Sequence, residues 1–445
     1  MFFERERDIR PGDSHGDIVF WPLVVLAQYL TASGDGSVLD ERVPFFDARG
    51  PDAGELATVW QHAERALGLM KKRVIPGTSL AAYGHGDWND SLQPADPALR
   101  DRLCSAWTVT LHAQALTGLA RALRDVRRPE EAASLDTWRE EVKQDFQRLL
   151  VRDGVLTGYA LFDEGGSVRH LLHPSDATTG VRYSSLAMIH AILEDMLTPQ
   201  QVGEHLRLIE SHLSGPDGVR LFDRPLPYYG GSQRLFQRAE TATFFGREIG
   251  LMYMHAHLRY AQALAHVGDA RRFFHALCQA VPIDIRSIVP SATLRQANCY
   301  YSSSDAAFAD RYQASAEYER VARGAIALDG GWRVYSSGAG IALGLIMRHF
   351  LGLSSEADAV SIDPVIPPEL DGLRVQTELL GRAVEVRYRA RGTGCGVTSV
   401  DLNGEAVRFS TRANPHRRGA AVVGSSALLH KMSAEGNVMS IELGQ

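Results

Sequence analysis

The stretch ALRDRLCSAWTVTLHAQALTGLARALRDV (Ala98–Val126) places apolar residues every three to four positions. That is the period of a helix turning one face to a core. The same period recurs upstream in DIVFWPLVVLAQYLTASGD (Asp17–Asp35), which reads as a mostly buried helix ending near Gly34. Downstream it recurs in residues 184–197, 199–213, 249–268 and 341–353. Many helices with few strands between them imply paired helices around a common core. The loop Leu221–Gln237 is longer than a helix hairpin needs, and loops of that length are often functional. After Leu353 the pattern changes. In LRVQTELLGRAVEVRYRARG (Leu373–Gly392) Val384, Val386 and Tyr388 alternate with charged neighbours, the period of a half-buried strand. A small β-sandwich is expected from about Ala357, with the proline-rich DPVIPPEL (Asp363–Leu370) as the linker.

The totals bound the function. The chain has 445 residues, 45% hydrophobic and 22% charged, enough for two or three domains. A formal charge of −6 disfavours sequence-blind binding of nucleic acid, which needs a basic face. The opening MFFERERDIRPGDSHGD lacks an apolar signal core, and no run reaches the roughly 20 apolar residues of a membrane span. The four cysteines (Cys104, Cys278, Cys299, Cys395) are scattered without zinc spacing. Reduced thiols in a cytoplasmic protein are expected.

Three segments carry candidate chemistry. In YGHGDWNDSLQP (Tyr83–Pro94) two glycines allow a sharp turn around His85, and Asp87 and Asp90 lie three apart. One aspartate can cap the following amides while the other points outward. Trp88 offers a flat apolar face of the kind a pyranose ring stacks on, and an acid beside it would be held protonated. The same residues also fit an Asx-turn with a half-buried tryptophan. In FGREIGLMYMHAH (Phe245–His257) Glu248 and His255 are seven apart, two helical turns and so one face. They suit a polyol and an anion, or equally a first-turn glutamate and a core histidine. In GGWRVYSSGAGIALGLIMRHF (Gly330–Phe350) Ser336, Ser337 and Gly338 stand before an apolar helix. Free amides and hydroxyls there make a phosphate seat or a plain serine cap. Together the three point to sugar plus phosphate.

GDWND (Gly86–Asp90) resembles the catalytic signature of the inverting glycoside phosphorylases of glycoside hydrolase family 94. REIGLMYMHA (Arg247–Ala256) resembles that family's segment with a phosphate-contacting histidine, and WRVYSSGAGI (Trp332–Ile341) stands where it has a Thr-Gly phosphate loop. The longer forms are most similar to the branch acting on β-1,2-linked glucans. The resemblance implies a mainly α chain: a partial (α/α)6 barrel over 1–355, then a β-sandwich domain over 356–445. It implies Asp90 as the general acid, with Trp88, Asp87, Arg247 and Glu248 around the sugar. His255, Ser336, Ser337 and Gly338 would hold phosphate. Phosphate is the nucleophile and co-substrate, so no metal or other cofactor is implied, and the sugar product is α-glucose 1-phosphate.

Members of the family begin with a β-sandwich and further barrel helices. The resemblance here starts near GDSHGDIVFWPL (Gly12–Leu23), so the upstream arginine and aspartate sugar contacts have no assigned residue. A β-gluco-oligosaccharide and phosphate are the expected ligands, and a homodimer or a partner chain supplying the missing half is the expected assembly. Two alternatives are an inverting hydrolase, with Asp87 or Glu248 as its second carboxylate, and a carbohydrate-binding remnant.

Overall fold

The computed structural model describes residues 15–46, 54–89, 92–226, 233–237, 250–331 and 336–444, the side chains of 336 and 337 excepted. The chain divides into two compact units, Met1–Leu197 with Phe222–Gly250, and Thr198–Leu221 with Leu251–Gln445.

The first unit contains helices α1 (Trp21–Ser33), α2 (Val59–Lys72), α3 (Ala106–Asp125), α4 (Pro129–Leu150) and α5 (Ser185–Leu193). Their ends follow local chemistry. Gly34 closes α1 in the left-handed region at φ 67°. Thr58 and Gln61 form a reciprocal capping box on α2. Ser105 caps α3. Helices α1, α4 and α5 all pack on α3, which is why nearly every side of α3 is apolar and buried. A three-stranded antiparallel sheet, in the order Leu103–Ser105, Tyr159–Phe162, Val168–Leu171, lies at the start of α3.

Helix α1 departs from expectation. Only one side of it is buried, through Leu23, Val24, Ala27 and Leu30. Trp21, Val25 and Tyr29, spaced four apart on the other side, are 38%, 61% and 45% exposed. With Ile18, Pro22, Leu26 and Val38 they line an apolar groove of about 700 Å³. Among the described residues, Gly16–Ser33 alone is long and apolar enough to cross a membrane, by length and composition.

The second unit holds α6 (Pro199–Leu208), α7 (Met254–Val267), α8 (Ala270–Ala280), the short α9 (Ile285–Ile288), α10 (Arg311–Glu317) and α11 (Glu319–Ala322), then α12 (Ser336–Leu345) and α13 (Ser425–Lys431). Helix α7 packs on α8 and on α12. Its start is fixed by a sheet in the order Met252–Tyr253, Ser303–Ala306, Leu328–Gly330.

The β-domain is present as expected. A four-stranded sheet (Leu353–Ser355, Ala359–Ile362, Ala421–Gly424, Ser410–Thr411) and a five-stranded sheet (Arg374–Leu379, Arg382–Arg391, Asn437–Gly444, Val397–Leu402, Glu405–Ala406) share one core. Val384, Val386, Tyr388 and Ala390 point into it alternately. The pairing of Val384–Arg391 with Asn437–Gly444 is parallel, unlike the others. DPVIPPEL is not a linker. It follows the strand Ala359–Ile362 inside the β-domain, with Val365 and Ile366 fully buried. Its prolines end a strand.

Candidate functional site

The Tyr83–Asn89 turn belongs to the first unit. Gly84 and Gly86 take φ of 61° and 130°, a region in which only glycine is free of strain. The turn is clamped from a segment that nothing in the motif advertises. Gly16 donates its N–H to the Gly86 carbonyl at 2.7 Å. A Cβ on Gly16 would fall 2.3 Å from the Tyr83 carbonyl oxygen, so that approach requires glycine. His15 Nε2 meets the Gln93 amide at 3.0 Å.

Asp87, expected among the sugar contacts, points inward and is 1% exposed. Its Oδ1 accepts from the Asn89 N–H (2.9 Å) and the Tyr83 hydroxyl (3.3 Å). Its Oδ2 accepts from the hydroxyls of Ser105 (2.8 Å) and Thr108 (3.1 Å). Burial pushes its carboxyl up to about 7, against the pull of the Asn89 amide and with a further push from Asp17. Asp87 therefore ties the turn to the first turn of α3; the Asx-turn reading fits this residue.

Trp88 is half-buried. Its ring centroid lies 6.4 Å from that of Trp107, and Trp107 lies 6.5 Å from Trp21. Trp88 thus caps an aromatic cluster rooted in α1 and α3. Asp90 lies outside the described residues, as do Arg247 and Glu248.

In the second unit, His255 sits in the first turn of α7, ring-stacked on Tyr253 at 5.4 Å. Burial, helped by the Arg259 cation one turn on, lowers its pKa to about 4. Because α7 begins at Met254 and Met252–Tyr253 is a strand, the helical spacing expected between Glu248 and His255 does not hold. His257 is structural. It is fully buried, donating from Nε2 to the Ala276 carbonyl (2.8 Å) and accepting the Val219 N–H at Nδ1 (3.2 Å). Ser336, Ser337 and Gly338 form the first turn of α12 rather than preceding it. Gly338 is buried against Tyr300, whose Cε1 lies 2.6 Å from where a Cβ would stand. Trp107 and Tyr300 carry no motif of their own; only their neighbours reveal them.

Residues 352–441 match the model of a glycoside phosphorylase C-terminal domain. The chain is similar to the family 94 glycoside phosphorylases, and the resemblance covers only the later part of such a protein. It is 38% identical over 435 residues to a 1,2-beta-oligoglucan phosphorylase of Listeria innocua serovar 6a, covering 97% of this chain and 39% of that protein. It is 21% identical over 406 residues to a 3-O-beta-D-glucopyranosyl-beta-D-glucuronide phosphorylase of Paenibacillus borealis, covering 91% and 48% of the two. To an N,N'-diacetylchitobiose phosphorylase of Vibrio furnissii it is 23% identical over 408 residues, covering 89% and 45%. The chain spans less than half the length of these relatives.

Proposed function

We propose that this chain carries the acid and phosphate side of an inverting phosphorylase of β-linked gluco-oligosaccharides, with β-1,2-glucan the leading substrate. The observation that carries the reading is the 38% identity extending over 97% of the chain, both chemistry-bearing units included. In this scheme the helices form the later section of an (α/α)6 barrel within residues 1–355. A glucosyl unit stacks on Trp88, with Glu248 and Arg247 on its hydroxyls. Asp90 protonates the glycosidic oxygen while phosphate attacks the anomeric carbon from the opposite face. The glycosidic C–O bond breaks, a C–O bond to phosphate forms, and α-glucose 1-phosphate leaves with a shortened acceptor. An inverting hydrolase needs a second carboxylate to activate water. Asp87 is a poor candidate, being enclosed with both oxygens occupied. Phosphate replaces water and base together, so neither metal nor other cofactor enters.

His255, with its pKa drawn down to about 4, is neutral near pH 7 and offers phosphate a hydrogen bond. An arriving dianion would raise that pKa. The amides of the first α12 turn supply further donors. We place the reaction in the cytoplasm. The apolar groove on α1 supports a further step: polypeptide equivalent to the unmatched part of the longer relatives, supplied in cis or in trans, packs there.

The test is phosphate dependence. β-1,2-Gluco-oligosaccharides incubated with the chain and its complementary half are expected to give glucose 1-phosphate only when phosphate is present. Free glucose without phosphate would establish a hydrolase, and binding without either product a remnant. Asp90→Asn is expected to abolish cleavage while oligosaccharide binding survives; retained turnover would move the acid elsewhere.

A further inference from the structure

Trp107, in the first turn of α3, forms the back of the cluster that Trp88 caps. It is 6% exposed, and besides Trp88 and Trp21 it meets the His190 ring edge-on at 5.9 Å and 87°. Its Nε1–H is fully enclosed and has no hydrogen-bond partner among the described residues. Trp21, its neighbour, shows the ordinary arrangement, donating its own Nε1–H to Asp17 Oδ2 at 3.1 Å. Buried donors in folded proteins are almost always matched, and an unmatched one calls for a reason. Sites that read hydroxyl groups supply one, because their donors find partners only when ligand is bound.

We propose that the Trp107 N–H is a donor reserved for a hydroxyl of the glucosyl unit stacked on Trp88, which makes Trp107 a specificity-determining residue of that site. The inference rests on the reading of Trp88 as a sugar platform. Trp88 is half-buried and carried on a turn, with its ring centroid 6.4 Å from that of Trp107. The competing explanation is an N–H···π contact to His190, a weak interaction indifferent to sugar.

Titration calorimetry with β-1,2-gluco-oligosaccharides and their monodeoxy analogues, on wild type and Trp107→Phe, decides between them. Phenylalanine keeps the aromatic contact and deletes the donor. Wild type is expected to bind one monodeoxy analogue about tenfold more weakly than the parent sugar. Trp107→Phe is expected to bind the parent about tenfold more weakly and to lose that discrimination. Unchanged affinity and unchanged discrimination in Trp107→Phe overturn the inference while leaving the phosphorylase reading intact. A wild type that binds no β-gluco-oligosaccharide even together with its complementary half overturns both. Should the variant fail to fold, wild type labelled with nitrogen-15 tryptophan serves instead. A downfield shift of the Trp107 indole proton on adding sugar supports the assignment, and its absence removes it.

Discussion

Two buried titratable residues in the first unit are set against each other. His112 lies in the middle of α3, fully buried between Phe20 (5.3 Å) and Trp138 (4.9 Å). Neither ring nitrogen has a hydrogen-bond partner among the described residues, and burial pushes its pKa from 6.5 down to about 3. Asp87 is pushed the other way, from 3.8 up to about 7. Between about pH 6.5 and 3 the unfolded chain protonates this histidine and the folded chain does not. Its contribution to stability therefore falls as pH falls, by about 1.4 kcal/mol per unit. For Asp87 the folded chain holds the extra proton between about 7 and 3.8, so its contribution rises as pH falls. In urea melts from pH 7 to 4.5, His112→Leu is expected to gain on wild type progressively toward acid. Asp87→Asn is expected to lose ground over the same range. Parallel pH profiles for both variants would show that neither group titrates as its burial implies. A periodicity argument marks His112 as core-facing, yet it cannot tell that no partner awaits it, since that depends on what α1 and α4 bring alongside.

Between elements, the least legible feature is Arg417. It stands in a loop with no periodic signal, yet its side chain is 4% exposed. It forms a bidentate pair with Asp363 at 2.6 and 2.8 Å, and its Nε donates to the Ala265 and His266 carbonyls at the end of α7 (3.2 Å each). One guanidinium thus fastens a β-domain loop to a helix C-terminus, where a cation is favoured by the aligned carbonyls. Gly268 leaves the room, since a Cβ there would fall 2.7 Å from Arg417 Cδ. Arg417→Met is expected to cost about 3 kcal/mol in denaturant melts, because Asp363 and both carbonyls lose their partner. Adding Asp363→Leu should recover part of that loss in a double-mutant cycle. Additive costs would mean that the pair is uncoupled. The strand alternation at Val384–Tyr388 and the stripe of α3 were readable from spacing alone. The pinning of α7 was not, because it joins residues some 150 apart by side-chain chemistry.

At the scale of the whole chain, the sequence separates a helical part from a β-domain, and both are present. It also predicts that α1 is mostly buried, and α1 breaks that expectation. A stripe of tryptophan, valine and tyrosine four apart reads as core whether the layer covering it lies inside this chain or outside it. Within the first unit, α3 takes one side of α1 and leaves Trp21, Val25 and Tyr29 exposed. The apolar groove of about 700 Å³ they line is the surface on which the proposed function seats further polypeptide. Val25 isolates that property, being 61% exposed and distant in role from the proposed chemistry. Val25→Asp is expected to leave the melting of the chain alone within about 0.5 kcal/mol, as exposed substitutions do. It should lower co-purification with the complementary half of a full-length relative by tenfold or more, since a charge buried without a partner is strongly disfavoured. Self-association of the chain by itself, abolished by the same variant in sedimentation, would assign the groove to a second copy. An unchanged complex would place the seam elsewhere and leave the exposed stripe of α1 without a role in assembly.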